Sequence, residues 1–398
     1  MRSGEDRSRL GLTSRRDALA ALAALAGAGC AASLAALSGQ RLLLAEDVPG
    51  RGAIPLPDEG GLAPRRARWY RSLPDEWVQC GLCPHGCKIS EGERGTCGTR
   101  ENRHGVLHTL VHSRPCSVAL DPVEKKPFFH LMPGALALSL ATPGCNFDCK
   151  ACQNWEIAQA RPEQVKTVAL TPDDAAALAV KRAAKVIACT YTEPVTFSEY
   201  VFDIAVAGRR SALKTAVVSN GYIQEEPLRD LCGVLSAYKV DLKGFTERFY
   251  KEHCGGELKP VLDTLRRLVK HRIWTEIVVL VIPSLNDGAA EIRDLARFVR
   301  GELGAEVPLH FTRFHPAYRL TNLPPTPIST LERCRDVALK EGLSFVYLGN
   351  VPGHPGESTY CPGCGARLVR RVGMAMLENR IDKGTCPDCH RRIPGLWT

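Results

Sequence analysis

Cys145, Cys149 and Cys152 lie in the stretch TPGCNFDCKACQNW with C-x3-C-x2-C spacing. Three thiolates hold three of the four irons of a [4Fe-4S] cube, which leaves one iron open to a small molecule. That open iron is the expected chemical centre of the chain. A structural zinc site takes four protein ligands, and the bacterial ferredoxin run is C-x2-C-x2-C with a further cysteine, so neither matches this triplet.

Such a loop needs elements to hold it. From Ala135 onward, short apolar runs alternate with segments of helical periodicity. The runs Ala135 to Ala141, Val186 to Tyr191, Thr215 to Ser219, Lys239 to Leu242, Glu276 to Ile282, Leu309 to Phe314 and Phe345 to Leu348 read as strands. Between them, Thr171-Pro172-Asp173-Asp174 opens one helix with an N-cap and a first-turn proline, and Ser329-Thr330-Leu331-Glu332 opens another as a capping box. Phe197 to Arg210, Glu226 to Ala237, Lys259 to Lys270 and Ala289 to Glu302 repeat apolar residues at helical spacing.

Strand and helix in alternation demand parallel strands with right-handed crossovers, so the expected fold class is α/β, a full or partial (β/α) TIM-like barrel. Function in such barrels collects at the carboxyl ends of the strands. The cysteine triplet, Glu193, Asn220, Asp241, Lys243, Asn286, Asp287, His315 and Asn350 all fall at or just after strand ends, on one expected rim.

The chain of 398 residues, 44% hydrophobic, is long enough for one core of about 250 residues and smaller modules. Its net charge of +9 lies largely in the tails, with +3 in residues 1–44 and +4 in 361–398. The central domain therefore carries an ordinary solvated surface, which argues against nucleic acid as a partner. Most of the 17 cysteines fall in clusters spaced like metal thiolate sites, which requires them reduced when metal is loaded. Ser14-Arg15-Arg16-Asp17 before the charge-free run Ala18 to Gln40 resembles a Tat-type leader or anchor. Cys30 follows Gly27-Ala28-Gly29 and matches a lipid-attachment site poorly.

The expected organisation is a leader or anchor at 1–44, a linker at 45–76, a cysteine-rich module at 77–134, a barrel at 135–352 and a zinc-ribbon-like lobe at 353–398.

The cluster loop resembles the signature of radical S-adenosylmethionine (SAM) enzymes. The ordered stretches CGLCPHGC, DPVEKKPFFHLMPG, TYTEP, VSNGY, DLKGF, IPSLND, LHFTRFHP and LGNVPG, from Trp77 to Trp397, resemble the AmmeMemoRadiSam-system radical SAM enzymes, relatives of the pyruvate formate-lyase activating enzymes. The resemblance implies a [4Fe-4S] cluster on Cys145, Cys149 and Cys152 whose fourth iron is chelated by SAM. Reductive cleavage then gives a 5′-deoxyadenosyl radical that abstracts hydrogen from a substrate, with a protein or peptide as one class. It implies a low-potential electron donor of flavodoxin or ferredoxin type, and Phe147 beside the cluster. The usual Gly-Gly-Glu-Pro strand end reads Tyr191-Thr192-Glu193-Pro194 here and lacks both glycines. Glu193 is the expected acceptor for the SAM ammonium, with Ser219, Asn220, Asp241, Lys243 and His315 near the ribose or carboxylate. These reactants are cytosolic while the leader addresses export, so the two point to different compartments.

Cys361, Cys364, Cys386 and Cys389 form two C-x2-C knuckles, a zinc-ribbon pattern whose closed shell is structural. Cys80, Cys83, Cys87 and Cys97 form a compact quartet to which zinc and an auxiliary iron-sulfur cluster are both suited, with CPHGC favouring zinc and Cys116 near enough in sequence to replace one ligand. Cys189, Cys232, Cys254 and Cys334 read as buried packing thiols. Two other function classes stand beside the enzyme: an iron-sulfur electron carrier, whose cluster would be fully ligated by protein, and a zinc-ribbon binding protein with a vestigial barrel.

Overall fold

The computed structural model describes residues 52–53, 61–62 and 64–398. The expected leader, Cys30 and residues 45–51, 54–60 and 63 of the expected linker lie outside the described residues. Among the described residues, no helix is long and apolar enough to cross a membrane.

One sheet organises the chain. Its strands are β1 (Ser117–Pro122), β2 (Leu136–Ala141), β3 (Val186–Cys189), β4 (Lys214–Ser219), β5 (Ala237–Asp241), β6 (Trp274–Val281), β7 (Leu309–Arg313) and β8 (Val346–Gly349), side by side in that order. β2 through β8 are parallel, in registers such as Cys189 against Leu140 and Asp241 against Val278. Every crossover carries a helix: α1 (Pro172–Lys181), α2 (Ser198–Arg210), α3 (Glu225–Cys232), α4 (Leu258–Lys270), α5 (Ala289–Phe298) and α6 (Ile328–Lys340). With both faces covered, β3 is buried at every residue, which is why these strands read as unbroken apolar runs. β1 is antiparallel to β2, and Gly52–Ala53 pairs antiparallel outside it. No pairing closes the sheet among the described residues, so of the two expected forms the partial barrel is the one found.

Thr171 caps α1 as expected, its Oγ1 accepting from Asp174 N at 3.2 Å. The capping box expected at Ser329 does not form. The N-cap is Pro327, two residues earlier, whose fixed φ is compatible with entry into the helix, so Ser329 lies inside α6. The helix expected to run to Ala237 stops at Cys232, because Gly233 ends it and Ala237 opens β5.

Residues 65–72, read as linker, supply strands to two small antiparallel sheets. Arg65–Arg66, Arg100–Arg103 and Val106–Thr109 form one, and Tyr70–Ser72, Val78–Cys80 and Lys88–Ile89 the other. A third, Thr359–Tyr360, Arg367–Val372 and Ala375–Asn379, carries the C-terminal cysteines at its ends.

Candidate active site

The loop after β2 and the carboxyl ends of β3, β4 and β5 surround a cavity of about 440 Å3. Cys145, Cys149, Cys152, Phe147, Glu193, Ser219, Asn220, Asp241 and Lys243 line it together. His315 does not. It is exposed to solvent, on a loop after β7 that meets the wall at Leu320 instead. Asn286 is also outside the lining, and its side chain bonds Ile282 N, Lys243 O and Leu280 O, closing its own loop.

The cysteine loop is held from several sides. Gly144 sits at φ +96, and a Cβ there would meet Thr99 Cγ2 at 2.3 Å and Cys97 O at 2.8 Å, so only glycine allows the cysteine-rich module this close. Asn146 donates to Tyr222 O at 2.9 Å and accepts from Asn220 Nδ2 at 2.8 Å. Asp148 N and Lys150 N each donate at 2.9 Å to the carbonyls of Cys254 and His253. The Phe147 ring packs on Tyr222, and Phe147 N points at Cys145 Sγ at 3.3 Å.

Gly256 leaves room for that ring, since a Cβ there would lie 2.2 Å from Phe147 Cε1. Gly256→Ala is expected to cost about 1–3 kcal/mol through overpacking and to lower iron per chain after reconstitution. Urea unfolding and an iron assay check it, and unchanged values in both would show that Gly256 does not set the ring.

Glu193 is 2% exposed and its carboxylate is already occupied. Oε1 accepts from Ser219 Oγ at 2.6 Å and Val195 N at 3.0 Å, and Oε2 accepts from Asn220 N at 2.8 Å. Burial pushes its pKa up to about 7, against the pull of these donors. Of the residues expected near the SAM ribose or carboxylate, Ser219 thus turns its hydroxyl to Glu193 and also accepts from Tyr238 OH at 2.9 Å, while the Asn220 side chain donates to Asn146 Oδ1 and accepts from Tyr222 N, both at 2.8 Å.

Asp241 lies 3.3 Å from Lys239 Nζ and 3.2 Å from Lys243 Nζ. Burial opposes its charge, but the two ammonium groups hold its pKa below the usual carboxylate range. Its buried Oδ1 makes no well-aligned hydrogen bond within the chain. Burial likewise works against Lys243, and Asp241 with the nearby thiols outweighs it and raises its pKa.

Four features of this wall were not singled out in the sequence. The Cys254 thiol reaches the cavity, and its closeness to Cys149 lowers the pKa of Cys149. Lys126, 2% exposed, pairs with Asp121 at 2.6 Å and sits 4.1 Å from the centre of the Tyr191 ring. Burial brings its pKa down to about 8 against the pull of Asp121. Tyr191, whose hydroxyl bonds Asp121, holds a φ of +68 on a bulky residue, with its carbonyl fixed by Asn154 Nδ2 at 2.7 Å. Met374, from the turn of the C-terminal hairpin, reaches the cavity as well. In the sequence, Lys126, Tyr191 and Cys254 fall in the stretches DPVEKK, TYTEP and HCGG without any sign of these contacts, and nothing marks Met374.

The Radical SAM superfamily pattern matches residues 139–299, from β2 to the end of α5. The chain is 44% identical over 331 residues to uncharacterized protein MJ0808 of Methanocaldococcus jannaschii, covering 83% of this chain and 98% of that protein. This chain belongs to the radical SAM superfamily. It is an enzyme of radical SAM type, in a family that uses SAM and an iron-sulfur cluster. A second relative, uncharacterized protein MJ0674 of the same organism, is 25% identical over 290 residues, covering 67% of this chain and 76% of that one. Among solved structures, a radical SAM methyltransferase from Sphaerobacter thermophilus aligns at TM-score 0.44 and 15% identity, over 75% of this radical SAM chain and 81% of that one. A domain of pyruvate-formate lyase-activating enzyme from Bacteroides vulgatus aligns at TM-score 0.37 and 16% identity, over 41% and 98%.

Away from the radical SAM cavity, the sulfurs of Cys361, Cys364, Cys386 and Cys389 all lie within 4.8 Å of one another. Cys361 and Cys389 are 3.5 Å apart, and Cys364 and Cys386 3.7 Å apart. Cys80, Cys83, Cys87 and Cys97 line a second, small cavity. Cys116 is not part of that wall, and its thiol faces Ala141 O at 3.5 Å.

Proposed function

We propose that this chain is an AmmeMemoRadiSam-type radical SAM enzyme that cleaves SAM reductively at the loop after β2 and abstracts hydrogen from a protein or peptide. One observation carries the reading: a single cavity joins three loop thiols to the acidic and basic ends of β3 and β5. When bound, a cluster and SAM supply a 5′-deoxyadenosyl radical there.

The donor set fits that pair. Cys145, Cys149 and Cys152 would hold three irons. Lys243, kept charged by Asp241, would pair with the SAM carboxylate, and Oδ1 of Asp241, 3.3 Å from Lys239 Nζ but without a well-aligned hydrogen bond, would accept from a ribose hydroxyl. Glu193 keeps lone pairs for the SAM ammonium, but its chief work is to fix β3 to β4 through Ser219 and Asn220. A polypeptide substrate suits the mouth, where exposed Trp155 stacks on Tyr318 at 5.1 Å beside the wall residues Asn154 and Leu320. A flavodoxin- or ferredoxin-type donor would supply the electron.

The C-terminal quartet would hold zinc, since tetrahedral Zn–S bonds of about 2.3 Å put sulfurs about 3.8 Å apart, near the spacings of 3.5 and 3.7 Å.

The test is anaerobic reconstitution followed by dithionite and SAM, with 5′-deoxyadenosine as readout; none formed beside an active control enzyme would end the proposal. Lys243→Gln, which leaves Asp241 paired with Lys239, should weaken SAM binding roughly 10- to 100-fold, the worth of a charge-assisted hydrogen bond. Equilibrium binding to the reconstituted protein measures it, and wild-type affinity would remove Lys243 from the SAM site.

A further inference from the structure

We infer that Cys80, Cys83, Cys87 and Cys97 hold a second polynuclear iron-sulfur cluster, not the zinc that their sequence spacing favours. Two independent observations meet here. The first is sulfur spacing. A single zinc draws four sulfurs to about 3.8 Å from one another, and the C-terminal quartet has that collapsed form, with all four sulfurs within 4.8 Å. No three of the thiols of Cys80, Cys83, Cys87 and Cys97 form such a group among the described residues, although all four line one cavity. The loop triplet Cys145, Cys149 and Cys152 shares this wider spacing. A cube of irons holds its thiolates farther apart than one metal ion does, because each sulfur binds a different corner.

The second observation is Arg100. It is 1% exposed and lines the same cavity. Its two terminal nitrogens are taken by Glu199, at 2.9 and 2.7 Å, but its Nε–H has no acceptor. A buried guanidinium leaving one N–H unused is costly unless something accepts from it. Cluster sulfide or thiolate sulfur would be such an acceptor, and the arginine charge offsets the negative charge that a four-thiolate cluster carries.

The site also touches the loop after β2. His85, between Cys83 and Cys87, contacts Asn146 O at 2.7 Å, and Asn146 lines the small cavity while its chain neighbours Cys145 and Phe147 line the large one. Two centres built on adjoining loops would sit close together in the folded chain.

Metal content of the anaerobically reconstituted full-length protein decides the matter. The variant Cys145→Ala/Cys149→Ala/Cys152→Ala should keep about four irons with matching sulfide and give a paramagnetic signal on reduction, with one zinc per chain. Cys80→Ala/Cys83→Ala should lose about four irons and keep its zinc. A triple variant with no iron and two zincs overturns the inference, and it does so even where the double variant fails to fold. Wild-type protein whose iron vanishes entirely in the double variant and survives in the triple variant would support the second cluster while refuting the loop assignment, so the two readings fail separately.

Discussion

Alanine in place of Cys145, Cys149 or Cys152 reduces 5′-deoxyadenosine formation to the level of a protein-free control, whereas Cys254→Ala leaves it in place. The contrast matters because four cysteines, not three, reach this cavity. Were Cys254 a fourth ligand, every iron would be held by protein and the site would be that of an electron carrier. The three-cysteine spacing of the loop argues against this. Cys254 comes from the segment between β5 and α4 and reaches the cavity beside Cys149. Its backbone does the positioning, since Cys254 O receives Asp148 N at 2.9 Å whatever the side chain is. On the proposed ligation, removing a loop thiol would strip one iron of its ligand, and a partly ligated cluster would be lost on reconstitution. The measurement is iron per chain together with nucleoside product by chromatography. A Cys254→Ala protein without cluster, or a Cys149→Ala protein with full product, reverses the assignment.

How much of this was legible beforehand follows from range. The parallel strands were plain, because a strand buried on both faces is a continuous apolar run, as in Val186–Cys189. β1 was not, since Ser117–Pro122 contains a proline and Asp121 and reads as a loop. Asp121 in fact lies next to Tyr191 and Lys126, a cluster that only the folded sheet assembles. The C-terminal cysteine knuckles were visible because each pair is local in sequence. Cys254, more than a hundred residues after Cys149, was read as packing because nothing in its neighbourhood tells which thiol it will meet. His315 and Asn286 were misjudged by the opposite error. Proximity to a strand end in sequence says which rim a residue occupies, but not whether its side chain turns into the cavity, out to solvent or back on its own loop.

The largest expected effect on stability lies at the other end of the sheet. Glu276, at the start of β6, is fully buried and accepts four hydrogen bonds. Oε1 takes His130 N at 2.9 Å and Trp274 Nε1 at 3.0 Å, and Oε2 takes Phe129 N at 2.9 Å and His310 Nε2 at 2.8 Å. Through His130 this node reaches Pro394 O and Tyr347 OH, both at 2.6 Å, and through Phe129 O it reaches Arg371 at 2.7 Å. The carboxylate thus ties the C-terminal lobe to the sheet. Glu276→Ala would leave four buried donors unpaired and should cost about 3–5 kcal/mol, the scale for breaking one half of a buried charged pair.

Its titration gives a second signature. Burial works against the charge of Glu276, yet the bond from His310 and the other donors bring its pKa down to about 2, from 4.5. Between those values the unfolded chain binds the proton and the folded chain does not, so stability due to Glu276 is fully present above about pH 4.5 and is lost as pH falls toward 2. His130 acts higher: burial lowers its pKa to about 4, so stability also falls as pH drops from 6.5 toward 4. Glu276→Gln removes the lower window and, because the Glu276 charge holds the His130 pKa up against burial, also moves His130 further down. The gap between wild type and Glu276→Gln in parallel urea titrations should be about 3 kcal/mol at neutral pH and narrow below pH 4.5, with metal release common to both proteins. A gap that stays constant through that window would mean that the carboxylate's charge contributes nothing, and that shape alone holds the lobe in place.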